Sequence, residues 1–271
     1  MRIRDIAPAA SRARVCRRDF VKIGLSALAP ALAGCTRLTQ GPRTIVSPRL
    51  TARPGTPSAN PTLGLSPLGL ASGRDGILYV PQTYTPDTPL PLFVGLHGAG
   101  QSSAFWASYP GRAETLKMIF MAPDSRGFTW DAAQGAFGDD VGFVDRALEY
   151  TFEHCNVDPA HVALGGFSDG ATTALSLGLA NGDLFTHVVA YSPGFILSAG
   201  SFVGRPGVFV SHGTQDPVIS VSNSRDGIVP YLQSAGYDVV YQEFEGGHEV
   251  PASISDAALA WFLGLPVPPQ Q

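Results

Sequence analysis

The segment spanning residues 161–180, HVALGGFSDGATTALSLGLA, constrains this chain more than any other. Val162, Ala163 and Leu164 form a short apolar run bounded by glycines, and Ala171, Leu175 and Leu179 follow at helical spacing. The pattern predicts a strand, a sharp turn at Ser168 and a helix. Gly166-Phe167-Ser168-Asp169-Gly170 has the G-x-S-x-G form of a nucleophile elbow. A side chain at Gly166 or Gly170 would crowd a turn that must hold the serine in a strained conformation with its hydroxyl exposed. With 31 glycines in 271 residues, the pentapeptide arises by chance often enough that its surroundings must decide. They support it: the match sits between a strand and a helix, and an acid and a base follow in the order Ser, Asp, His.

The first residues are of another kind. Arg2, Arg4, Arg12, Arg14, Arg17, Arg18 and Lys22 lead into an apolar run from Ile23 to Ala33, too short to span a bilayer and patterned like a cleaved export signal over residues 1–34. Arg17-Arg18-Asp19-Phe20-Val21-Lys22 resembles a twin-arginine signal, and Leu32-Ala33-Gly34-Cys35 looks like a lipobox, cut before a cysteine that then carries lipid. The expectation is a bacterial protein exported by the twin-arginine route and lipid-anchored at Cys35 on the extracytoplasmic side of a membrane. The alternatives are an uncleaved signal anchor or a plain secreted or periplasmic protein. Residues 35–72 read as anchor site and tether, rich in Pro, Gly, Ser and Thr, with neither helical nor strand period.

The whole chain carries 18 Lys+Arg and 22 Asp+Glu. Without residues 1–34, and so without those seven basic side chains and the acidic Asp5 and Asp19, 11 face 20, a net charge of about −9. No basic cluster remains, which argues against a nucleic-acid partner. Of three cysteines, Cys16 leaves with the signal and Cys35 would be lipidated. Cys155 then stands alone and reads as a buried thiol.

The folded domain is expected over residues 73–264, with 265–271 a short tail. Ile77 to Val80 reads as a strand, and Leu92 to Leu96 as an apolar run suited to a buried parallel strand. The glycine-rich turn from His97 to Ser102 follows, where backbone NH groups can face a ligand. Met118 to Met121, Val188 to Tyr191, Val208 to Ser211 and Val239 to Phe244 are further strands. Asp139 and Asp140 open a helix and read as capping carboxylates rather than metal ligands. Trp130 and Phe195 are candidates for lining a substrate pocket, and the irregular loop from Phe195 to Gly204 for shaping access to it. A last helix, from about Ser253 to Leu263, would turn Ala257, Trp261 and Leu265 inward. Alternating strands and helices imply an α/β domain with a mostly parallel sheet covered on both faces.

Asp216 falls just beyond a strand's carboxyl end, on the edge where Ser168 lies, and His248 follows two glycines near another strand end. Asp226 is the alternative acid, inside or after the next helical segment. In this assignment His248 takes the Ser168 proton, Asp216 fixes the imidazole, and the backbone NH groups of Ala99 and Asp169 hold the oxyanion. His97 and His212, each before a glycine at a strand end, read as loop supports. Neither H-E-x-x-H nor paired histidines at ligand spacing occur, so no metal and no cofactor is expected.

LHGAGQSS (96–103), DDVGFVD (139–145), GGFSDGA (165–171), SHGTQDPVI (211–219) and GGHEV (246–250) together resemble the α/β-hydrolase serine esterases of the phospholipase/carboxylesterase family, with kinship to polyhydroxybutyrate depolymerase-like and feruloyl esterase-like enzymes. The resemblance implies a serine carboxylic ester hydrolase with Ser168, Asp216 and His248 as triad, acting on small-molecule, short-chain or aryl esters. A thioesterase, a lysophospholipase-like enzyme, a peptidase or a binding protein on the same scaffold are the alternatives. Asp169 departs from the family, where Gln or a small residue commonly follows the serine. A carboxylate there would raise the imidazole pKa or disfavour anionic substrates.

Overall fold

The computed structural model describes residues 46–198, 200 and 202–266. The export signal, the lipobox and Cys35 lie outside the described residues, as does most of the tail. Eight strands form one sheet: β1 (Gly64–Pro67), β2 (Gly76–Val80), β3 (Leu90–Leu96), β4 (Ile119–Pro123), β5 (Val157–Phe167), β6 (His187–Tyr191), β7 (Gly207–Gly213) and β8 (Val239–Phe244). Their order is β1-β2-β4-β3-β5-β6-β7-β8. β1 and β2, and β2 and β4, pair antiparallel, and every other neighbour pair is parallel. Among the described residues the α-helices are α1 (Tyr109–Leu116), α2 (Asp139–His154), α3 (Asp169–Ala180), α4 (Val229–Ser234) and α5 (Ala252–Phe262).

Strand side chains alternate between faces, and here both faces are apolar. Leu92, Val94 and Leu96 of β3 join one core with Val144 of α2, Leu175 of α3 and Leu232 of α4. Phe93, between them, joins the other with Tyr109 of α1 and Phe262 of α5. β7 repeats this, Val208 and Val210 on the first side and Phe209 on the second. A strand flanked by helix on both sides has no polar face to show, which is why these segments read as unbroken apolar runs.

Residues 46–72 are not a tether. Leu50 and Leu68 are each only 2% exposed, and β1 pairs along β2 at the sheet edge. The Leu50 amide donates to Asn181 Oδ1 at 2.9 Å, and the Asp145 carboxylate accepts from the amides of Thr51 and Ala52 and from the Thr51 hydroxyl. Arg49 and Arg53 both pair with Asp183, each at 2.7 Å. Hydrogen bonding from Arg49 leads the causes that hold the Asp183 carboxyl below its ordinary value. The segment lacks an apolar period because scattered apolar residues, with Val46, Ala52 and Leu70 packing beside Leu50 and Leu68, and a set of polar contacts to α2 and the end of α3 fasten it.

Two smaller expectations are corrected. Leu265 does not turn inward with Ala257 but is 45% exposed, one residue past the left-handed Gly264 that follows α5. Asp140 does not cap α2: it is buried and accepts from the amides of Arg126 and Asp131, both at 2.6 Å. Asp131 supplies the cap from outside, its Oδ2 accepting from the Asp140 amide. Cys155 is fully buried, and burial pushes its thiol pKa up to about 12, which removes thiolate reactivity at neutral pH. Among the described residues, no helix is long and apolar enough to cross a membrane.

Candidate active site

β5 delivers Ser168 into the elbow with φ 56° and ψ −120°. Backbone in this region costs a non-glycine residue on the order of 1–3 kcal/mol, so the surroundings must over-determine it. The Ser168 amide donates to Tyr191 O on β6 at 2.9 Å, and its carbonyl accepts from Thr172 in the first turn of α3. The flanking glycines are required by contact. A Cβ at Gly166 would lie 2.2 Å from Gly170 O, and one at Gly170 would lie 2.3 Å from Leu96 O and 2.5 Å from His97 O.

The three residues singled out from sequence meet at the carboxyl edge of the sheet. The Ser168 hydroxyl lies 2.8 Å from His248 Nε2, and His248 Nδ1 lies 2.6 Å from Asp216 Oδ2. An ionised carboxylate accepts only, so Nδ1 carries the proton and Nε2 accepts from the serine. Asp216 Oδ1 accepts from the amides of Val218 at 2.8 Å and Ile219 at 2.9 Å. Burial pushes the Asp216 carboxyl up, but the hydrogen bonds from His248, Ile219 and Val218 outweigh it and leave the pKa below its ordinary value. The side chain of Asp216 is wholly enclosed, whereas that of His248 is 14% exposed, open toward a substrate. Asp226, the alternative acid, lies in the wide helical turn Asn223–Ile228.

His212 braces the acid. Its Nε2 lies 2.9 Å from Ile219 O and 3.3 Å from Asp216 Oδ2, and its Nδ1 lies 2.7 Å from Ser224 Oγ. Carbonyl and carboxylate both accept, so Nε2 carries the proton and Nδ1 accepts from the Ser224 hydroxyl. Burial lowers this pKa, favouring the neutral ring.

The loop after β3 is held as firmly. His97 is fully buried; its Nδ1–H donates to Gly98 O at 2.7 Å, and Nε2 accepts from the Ser125 amide and from Arg74. Burial is the leading cause of its lowered pKa. Gly100 N donates to Phe128 O at 2.7 Å, and Gly98 N to Gln101 Oε1 at 2.9 Å. Among the described residues, the amides of Ala99 and Asp169 donate to no protein acceptor, which leaves both for a ligand. The Asp169 carboxylate accepts from the Thr129 hydroxyl at 2.6 Å, an engagement that its place in the motif does not disclose.

Trp130 does not line the pocket. It is fully buried, and its indole NH donates to His97 O at 2.7 Å, so it fixes the loop from beneath. The cavity that touches the triad has a volume of about 440 Å³ and is lined by His248 together with Gln101, Phe105, Arg112, Phe167 and Val250. The Phe105 and Phe167 rings stack 5.0 Å apart and only 4° from parallel, and Phe167 lies 4.7 Å from the His248 ring. Phe167 and Gln101 stood inside the two motifs, but nothing in their spacing marked them as walls. Phe195, 41% exposed, lines a second cavity of about 430 Å³ with Ile196, Asn223, Ile228 and Tyr231. Among the described residues, no group of three His, Cys, Asp or Glu side chains is placed to hold a metal ion.

A profile of the Phospholipase/Carboxylesterase family matches residues 124–258. Feruloyl esterase C of Emericella nidulans is 29% identical over 157 residues, 55% of this chain and 57% of that protein. A probable feruloyl esterase C of Aspergillus terreus is 26% identical over 174 residues, 61% and 63% of the two chains. The chain thus spans less than two thirds of the length of either relative. Among solved structures, esterase PE8 superposes with a TM-score of 0.61 at 22% identity, covering 75% of this chain and all of that one. The Bacillus cereus carboxylesterase superposes with a TM-score of 0.55 at 19% identity, covering 71% and 95%. At such identity the likeness speaks to fold alone: the described residues form an α/β-hydrolase domain.

Proposed function

We propose that this protein is a serine carboxylic ester hydrolase that works through an acyl-enzyme. The observation that carries the reading is the unbroken hydrogen-bonded chain from Ser168 through His248 to an enclosed Asp216, mounted on a strained elbow. His248 Nε2 takes the hydroxyl proton as Ser168 Oγ attacks the acyl carbonyl, and Asp216 stabilises the imidazolium that forms. The carbonyl oxygen, now an anion, accepts from the amides of Ala99 and Asp169. Such donors are each worth about 3 kcal/mol of transition-state stabilisation. His248 then protonates the departing alcohol, and water, deprotonated by the same imidazole, releases the acid. None of these steps draws on a cofactor.

The aromatic walls at Phe105 and Phe167 favour a planar or apolar group on the alcohol side, and the feruloyl esterase relatives support an aryl group on the acyl side. Phe195 and its neighbours offer a second apolar site for the other half of the substrate. The amino-terminal sequence supports export by the twin-arginine route and lipid attachment at Cys35. On that reading Cys35→Ala moves the protein from membrane to soluble fractions, and unchanged membrane association refutes lipidation there.

Covalent labelling by a fluorophosphonate tests the nucleophile. Labelling of the wild-type protein at one site, lost in a folded Ser168→Ala variant, is expected. Persistent labelling of that variant places the nucleophile elsewhere.

A further inference from the structure

Building on the esterase reading, we propose that Gln101 determines specificity: its side-chain Nε2 donates to an oxygen on the alcohol half of the ester, selecting alcohols that carry an ether or hydroxyl oxygen.

The orientation of the Gln101 amide follows from its partner. The Gly98 amide lies 2.9 Å from it and can only donate, so the atom facing Gly98 is the carbonyl Oε1. That choice turns Nε2 the other way. Nε2 has no hydrogen-bond partner among the described residues, yet it is not one of their sealed, unpartnered polar atoms, so it faces open space. Gln101 lines the cavity with His248, Phe105 and Phe167, and the open side of Nε2 is assigned to that cavity.

Gln101 also lies close to the reacting atoms. A Cβ placed on Gly98 would stand 3.0 Å from Gln101 Oε1 and 3.4 Å from Ser168 Cβ, so the amide and the nucleophile flank one point of the oxyanion loop. Oε1 splints the loop that presents the Ala99 amide, while Nε2 is left for substrate.

The alcohol half is the one that reaches it. The departing oxygen must sit at His248 Nε2 to receive its proton, so the group attached to that oxygen extends beside the His248 ring. This cavity is walled there by His248 and by Phe167, 4.7 Å from it. The stacked phenylalanines provide contact area but no conventional hydrogen-bond donor. Arg112 and the exposed Glu249 also line the cavity, with Arg112 Nε on Asp256 at 2.7 Å, so charges of both signs are present there.

The test uses isosteric ester pairs in which an ether oxygen, which only accepts, replaces a methylene. The alcohol pair is 2-methoxyethyl acetate and butyl acetate. The acyl pair is methyl 3-methoxypropanoate and methyl pentanoate. Wild-type kcat/KM is expected to favour 2-methoxyethyl acetate over butyl acetate. Gln101→Met and Gln101→Glu, the latter keeping the acceptor for Gly98, should each reduce that ratio roughly five- to tenfold, as loss of one hydrogen bond does, and leave the acyl-pair ratio unmoved. Thermal melts establish that the variants are folded, and if Gln101→Met is not, Gln101→Glu decides. An alcohol-pair ratio unchanged in the folded variants reduces Gln101 to a loop splint and overturns the proposal, as does a loss in the acyl pair instead. Hydrolysis of none of the four esters by wild-type protein that still labels with fluorophosphonate removes the specificity claim while leaving the nucleophile standing. Absence of labelling as well removes the esterase reading itself.

Discussion

His248 Nδ1 lies 2.6 Å from Asp216 Oδ2, and Asp216 has no freedom to follow the ring if it moves, because its other oxygen is fixed by the amides of Val218 and Ile219. The proton on Nδ1 therefore has one place to go, and Nε2 is kept free to accept from Ser168. Replacing the acid by an amide leaves the shape but presents a donor that favours the wrong tautomer. Asp216→Asn is expected to lower kcat by about 10⁴-fold with little change in KM. Steady-state kinetics on one activated ester measures this, and a loss of tenfold or less shows that Asp216 does not orient the base.

The elbow makes a sharper structural demand. A methyl group at Gly170 would press on the carbonyl oxygens of Leu96 and His97, which are backbone atoms and have no rotamer by which to withdraw. Gly170→Ala must then part α3 from the loop that carries Ala99. The expected cost is about 3 kcal/mol of stability, read from urea unfolding, together with a fall of at least about a hundredfold in kcat/KM from the misplaced oxyanion donors. Wild-type stability and activity in this variant contradict the elbow packing described above.

The amino-terminal segment belongs to the domain. Leu50 is buried in the core beside α3, and its amide is held by Asn181. Leu50→Ala is expected to destabilise the domain by about 2–4 kcal/mol, lowering the urea midpoint. An unchanged midpoint restores the tether that the composition suggested.

Sequence discloses those parts of this molecule whose physics is local. Leu92 to Leu96 reads as a buried strand because both faces of β3 are covered and no residue in it is polar. The elbow is legible because glycine is forced at two positions by backbone contact, and Asp216 and His248 because each follows a strand end. What stays hidden depends on partners distant in the chain. Arg49, Thr51 and Arg53 look like linker until Asp183 and Asp145, over ninety residues away, are brought beside them. Trp130 falls in a loop over the active-site edge, and nothing local says that its indole points down at His97 O rather than out to the substrate. Asp140 occupies a capping position, but two loop amides compete for its carboxylate and take it. Gln101 sits in plain view within the glycine-rich turn, and only the Gly98 amide beneath it reveals which way its donor faces.

The most direct measurement is hydrolysis of p-nitrophenyl esters from acetate to palmitate by the purified protein and its Ser168→Ala variant. Activity that is greatest on the short esters, falls with chain length and disappears in the folded variant is the predicted result. A folded wild-type protein that hydrolyses none of them, or a Ser168→Ala variant that retains the activity, contradicts the assignment of Ser168 as the nucleophile of a serine esterase.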